Sequence, residues 1–170
     1  MLVVACGPRT PRPNAKVIET AEVIVPIPDG YKDLSASMRA ELPHVQVALD
    51  GPRNAVIVFQ KMDVRGGAID TAACAERGNT IVEIGKRPQE SPPRLDGAIT
   101  FAWTGGIGCE YRYATPQGIT TLLVEFHPAG AGDAPREVWT MTCQYDAGDA
   151  DAIAACRRLG ADFRLKARAP

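Results

Sequence analysis

The chain lacks the features that most directly announce a chemistry. Its 170 residues include only two histidines, His44 and His127. Each sits beside a proline at a strand or turn edge, a poor place for half of a nucleophile–base pair. There is no G-x-S-x-G esterase elbow and no H-E-x-x-H zinc-protease helix. No two cysteines form a C-x-x-C pair, which removes the usual zinc and thioredoxin-type spacings. Charge of either sign is not in excess. With 19 Lys and Arg against 20 Asp and Glu the formal net charge is -1, so there is neither a basic field for nucleic acid nor an acidic tail. No apolar run reaches the roughly 18 residues of a membrane-spanning helix.

Two near-motifs fail on context. Gly105-Gly106-Ile107-Gly108 lacks the G-K-[ST] ending of a phosphate loop and leads into a strand instead of a helix, so it reads as a turn or bulge. Asp146, Asp149 and Asp151 do not have EF-hand spacing, and helix capping accounts for them more simply. No catalytic residue, metal ligand or cofactor is therefore assigned, and the balance is against an enzyme.

What the chain has is the composition of one globular domain, 45% apolar and 23% charged, punctuated by 14 prolines and 16 glycines. That punctuation favours short strands and turns over a helical bundle. Of five cysteines, Cys6 lies in the opening M-L-V-V-A-C-G, and Cys74, Cys109, Cys143 and Cys156 are dispersed. Four dispersed cysteines in such a domain suggest an oxidising compartment. A Cys143–Cys156 bridge would tie a strand to the closing helix, worth about 3 kcal/mol for a loop of this length. Cys74 and Cys109 would then pair by elimination, although four cysteines allow three connectivities. Buried free thiols are the alternative.

Lys16 to Ile27 alternates as one or two strands until Pro26 and Pro28 end the pairing. Asp33 is expected to cap a short helix, Leu34 to Leu42, with Leu34, Met38 and Leu42 on one face. Val45 to Leu49 and Ala55 to Met62 form a hairpin. Asp70 caps a second short helix, Thr71 to Arg77, stopped by Gly78, and Thr80 to Ile84 follows as a strand. Lys86 to Asp96 is a polar, proline-rich surface loop. Ala98 to Trp103, Gly108 to Thr115, Ile119 to His127 and Arg136 to Tyr145 make a four-stranded meander. Last comes a helix capped by Asp149 or Asp151, with Ile153, Cys156, Leu159 and Phe163 along one face and Arg157 and Arg158 on its polar side. The aromatics Tyr111, Tyr113, Trp139 and Tyr145 are expected to pack under this helix. The fold class is thus α+β: a single antiparallel, strongly twisted sheet of about six to seven strands, covered by a C-terminal helix, with two further short helices.

Two resemblances add a compartment and a family. Leu2-Val3-Val4-Ala5-Cys6 resembles the lipobox at the end of a bacterial lipoprotein signal peptide, although Val3 replaces the preferred leucine and no basic or long apolar segment precedes it. The resemblance implies lipidation at Cys6. Residues 1–15 then read as a truncated signal remnant and Pro-rich tether, and residues 16–168 as the single domain. The order of elements, with Val25-Pro26-Ile27-Pro28-Asp29-Gly30-Tyr31 near the start and W-T-M-T-C…C…F-R-L at the end, resembles the PsbP-like fold of extrinsic photosystem subunits and small envelope lipoproteins. It implies an adaptor or ligand-binding role, with no catalytic residues. The expected protein is a non-catalytic lipoprotein of the bacterial cell envelope, membrane-held through Cys6. Its partner would be an envelope protein or a small ligand, and not nucleic acid. The alternatives are a small enzyme with an unadvertised site and a carrier of an apolar ligand between sheet and helix.

Overall fold

A computed structural model describes residues 16–64, 69–85, 94–103, 105–128 and 136–166; Cys6 and its tether lie outside them. The domain is α+β, and among the described residues ten strands form two antiparallel sheets. The chain opens with β1 (Val17–Glu19) and β2 (Val23–Pro26), a hairpin whose turn is closed by the Thr20 hydroxyl accepting from the N–H groups of Glu22 and Val23. A two-residue strand at the other end of the chain, β10 (Arg164–Leu165), pairs with β2, so both ends of the domain share a three-stranded sheet. This corrects the expectation of a single sheet.

The main sheet has seven strands. They are β3 (Lys32–Asp33), β4 (Val45–Asp50), β5 (Val56–Val64), β6 (Arg94–Trp103), β7 (Gly106–Ala114), β8 (Ile119–Pro128) and β9 (Arg136–Asp146), in the spatial order β3-β4-β5-β9-β8-β7-β6. The four-stranded meander is present, and its last strand docks beside β5 over nine residue pairs, joining the early hairpin to the meander.

Because side chains alternate along a strand, the sheet has two buried faces. On the first lie Leu49, Ile57, Phe59, Leu122, Val124, Phe126, Trp139, Met141 and Cys143. This face is covered by α3 (Ala150–Asp162) and by Val23 and Val25 of β2. Phe163, just past the helix, is the hub. Its ring centroid lies 4.4 Å from Phe126, 5.4 Å from Phe59 and 5.9 Å from Trp139. Gly108 of β7 belongs to this face too, and the Phe101 ring of β6 lies over it where a Cβ would collide.

The opposite face carries Cys109, Tyr111 and Tyr113 beneath α2 (Thr71–Gly85). Two expectations fail here. Tyr111 and Tyr113 pack under α2, not under α3, because they are out of phase with the strand residues that face α3. Further, α2 runs through Gly78, and the stretch read as a strand, Thr80 to Ile84, is helical. Gly78 does not stop the helix. It lets the helix approach the sheet: a Cβ there would lie 2.9 Å from Tyr111 Cδ1 and 3.1 Å from Leu95 Cδ2. Gly78→Ala would gain about 1 kcal/mol of helix propensity but overpack a contact, which typically costs about 1–3 kcal/mol. The Tyr111 ring is fully buried and its hydroxyl is held, so the net expectation is a loss of about 1 kcal/mol by urea unfolding. A gain in stability would show that the ring yields.

The first helix, α1 (Ser35–Glu41), also departs from its pattern. Leu34 and Leu42 are exposed, whereas Ser35 is buried. The Ser35 hydroxyl accepts from Ala48 N–H, and the Asp33 carboxylate accepts from Ser35 N–H. These polar anchors to β4 fix which side of the helix faces in, and they override its apolar stripe.

Candidate functional site

Two groups of polar residues stand out, one closed and one open. The closed group lies between α2 and the meander. Glu125 and His127 sit two apart on β8, on the face opposite Val124 and Phe126, and each is only 2% exposed. Cys109 and Tyr111 occupy the neighbouring strand, and α2 brings Arg77 down onto them. Glu125 Oε1 accepts from Arg77 Nη2 at 2.8 Å. Its Oε2 accepts from Arg77 Nε at 3.0 Å and from the Tyr111 hydroxyl at 3.0 Å, and lies 2.9 Å from His127 Nε2. Burial alone would raise the carboxyl's pKa, but the hydrogen bonds from His127 and Arg77 and the guanidinium charge outweigh it and hold Glu125 at about 2. Burial, then the Glu125 charge, pushes the Tyr111 phenol well above its usual range.

This arrangement restricts the chemistry open to Glu125. A carboxylate with so low a pKa is a weak general base and is never a general acid near neutral pH. Ligand atoms of Cys109, Glu125 and His127 lie within 4.8 Å of one another, a spacing that would suit a metal. However, Cys109 is at disulfide distance from Cys74, with Cα atoms 5.8 Å apart, and Arg77 already occupies the carboxylate. The donor set therefore fits a metal poorly. His44 is exposed beside β4 and takes no part in the cluster.

The second cysteine pair, Cys143 and Cys156, has a Cα separation of 6.3 Å and joins β9 to α3. At the start of that helix, Asp149 is the N-cap. Its side chain accepts from the N–H groups of Asp151 and Ala152 and from Arg53, which reaches over from the β4–β5 turn and also contacts Asp151. The bond from Arg53, followed by the backbone bond from Ala152, holds the Asp149 carboxyl well below its ordinary value. Asp149 is thus engaged in capping, and Asp151, in the first turn of the helix, pairs with Arg53. The same turn places Arg53 and Asn54 at positive φ (52° and 61°).

The open group lies beside the N-terminal half of α3. A cleft of about 120 Å³ is lined by Glu110 and Arg112 of β7, Thr120 and Leu122 of β8, Tyr145 of β9, Gly148 in the turn, and Ile153 and Arg157 of α3. Tyr145 is only 4% exposed. Its phenol is raised above the ordinary value by burial, which the Arg112 and Arg157 charges oppose and Glu110 assists, and all four side chains line the same cleft. Among the described residues neither the Tyr145 hydroxyl nor the Arg157 guanidinium has a hydrogen-bond or ion-pair partner. Arg112 makes one long contact, 3.8 Å, with Glu110.

Sequence reasoning placed Arg157 on the polar side of the helix and Tyr145 in the core, and it did not connect them. It missed Glu125 and Arg77 altogether. One signal was present: an acid and a histidine on alternate positions of an otherwise apolar strand, L-L-V-E-F-H. The chain matches no protein-family model and no curated protein sequence.

Proposed function

We propose that this chain is a non-catalytic binding domain of the bacterial cell envelope, tethered through Cys6, and similar in role to the PsbP-like adaptors whose element order it resembles. One contrast carries this reading. The groups that could perform acid–base or metal chemistry are bonded to one another behind α2, whereas the Tyr145 hydroxyl and Arg157 stand unpaired at an open cleft and Arg112 makes only one long contact there.

Two further observations support it. Cysteine pairs at disulfide distance tie each of α2 and α3 to the sheet, which suits an oxidising compartment. A carrier of apolar cargo would need a cavity of several hundred Å³ between sheet and helix. The rings of Phe59, Phe126, Trp139 and Phe163 occupy that space, which favours binding at the surface.

Mass spectrometry of the native protein extracted from membranes tests the proposal. The expected result is an N-terminus at a diacylglyceryl Cys6 and a mass lower than that of the reduced form by the four hydrogens of two disulfides. An intact Met1 together with free thiols at Cys74, Cys109, Cys143 and Cys156 would sink it.

A further inference from the structure

We propose that the cleft between β7, β9 and α3 binds a small carboxylate monoanion, held by Arg112 and Arg157 and by a hydrogen bond from the Tyr145 hydroxyl. The inference rests on the reading of the chain as a binding domain and names the class of ligand.

The site is built and not merely charged. Tyr145 is a core side chain, 4% exposed, in the same buried cluster as Cys143 and the stripe of α3. Its hydroxyl nevertheless meets no protein acceptor or donor. The ring is buried while the hydroxyl opens on the cleft with no protein partner, so it is free to donate to a ligand there. A carboxylate is the suitable complement, since the phenol can donate to it and both guanidiniums present forks that match its two oxygens.

Charge sets the valence. Two guanidiniums and the Glu110 carboxylate leave the lining with one net positive charge, which a monoanion neutralises and a phosphate dianion would exceed. Leu122 and Ile153 supply an apolar wall for a short hydrocarbon portion. Size limits the ligand further. A water takes up about 30 Å³ in the liquid, so the cleft holds roughly four waters or a molecule of that bulk. Two further features fit less tightly. Arg112 must turn from its long contact with Glu110 to engage the ligand, and Thr120 offers a second hydroxyl at the rim.

The test is a titration of the full chain with sodium propionate, and separately with sodium phosphate, at constant ionic strength so that screening is equal. The arginine Nε–H resonances and the Gly148 amide are followed by NMR. Propionate should shift the Arg112, Arg157 and Gly148 signals saturably and bind more tightly than phosphate. Arg157→Ala should weaken propionate binding about tenfold or more, the scale of a lost charge-assisted hydrogen bond. Tyr145→Phe keeps the ring in the core and should weaken binding about threefold to tenfold. Glu110→Gln removes the opposing charge and should move the preference toward phosphate. The proposal is overturned if the shifts do not saturate, if phosphate binds the wild type more tightly than propionate, or if Arg157→Ala binds as the wild type does. None of these outcomes touches lipidation at Cys6 or the disulfide mass, so the broader reading stands or falls separately.

Discussion

Replacing Glu125 by alanine is expected to lower stability by about 3–5 kcal/mol at pH 7, the typical result of removing one partner from a buried ion pair. Three side chains lose their acceptor at once: the Arg77 guanidinium, the fully buried Tyr111 hydroxyl and His127 Nε2. For a domain of this length the loss corresponds to roughly 6–20 °C in Tm. The hydrophobic double replacement Glu125→Leu with Arg77→Met should recover part of it, because the unpaired guanidinium is gone, while the Tyr111 hydroxyl and His127 Nε2 still lack the carboxylate.

The same carboxylate makes stability depend on pH, with a definite sign. Glu125 has an ordinary value of 4.5 and is held at about 2 in the folded protein. Its contribution is fully present above the unfolded value and is lost as pH falls from about 4.5 toward 2. With the carboxylate almost wholly buried, that contribution is on the order of 3 kcal/mol. Urea unfolding of wild type and Glu125→Ala at pH 7 and pH 3 checks both statements. The gap between the two proteins should narrow markedly at the lower pH. Asp149, whose pKa is also depressed, leaves the variant some acid sensitivity of its own. Stability within 1 kcal/mol of wild type at pH 7 would show that the cluster contributes little net free energy.

Phe163→Ala should be comparably severe, about 3–5 kcal/mol, as is usual for emptying a buried phenylalanine site. The ring touches aromatic neighbours from β5, β8, β9 and β6, and it immediately precedes the short strand that pairs with β2. Its loss should therefore loosen the three-stranded sheet before the main sheet. Hydrogen exchange offers a direct view. The Lys166 N–H, which donates to Glu22 O, should lose protection in the variant far more than the central amides of β8 and β9. A loss of stability below 1 kcal/mol, or uniform exchange, would contradict the hub role. Phe163→Leu should cost much less, because most of the volume is kept.

Much of the fold was legible because the signals were local. Strand alternation and the intervening Gly- and Pro-rich turns marked the meander from β6 to β9, and Asp149 with the Ile153-to-Phe163 stripe marked α3 and the face it buries. Where the reading failed, tertiary contacts overrode a local preference. Gly78 has the propensity of a helix stop, yet it continues α2 because Tyr111 and Leu95 need the space. Leu34 and Leu42 have the pattern of a core stripe, yet Ser35, held by Asp33, accepts from Ala48 N–H of β4 and turns that stripe outward.

By itself, then, the sequence determined the class of the domain, its antiparallel meander, its capped closing helix and the dispersed cysteines that suit an oxidising compartment. These follow from periodicity, turn chemistry and composition, which act over a few residues. Only the tertiary structure decided which side chains meet. It placed Arg77 on Glu125 across 48 positions and docked β9 beside β5. It also gathered Arg112, Tyr145 and Arg157 from two strands and a helix into one cleft. Such encounters depend on strand order and on which face of the sheet each residue occupies. Those are set by the packing of the whole chain and leave no mark in the spacing of the residues involved.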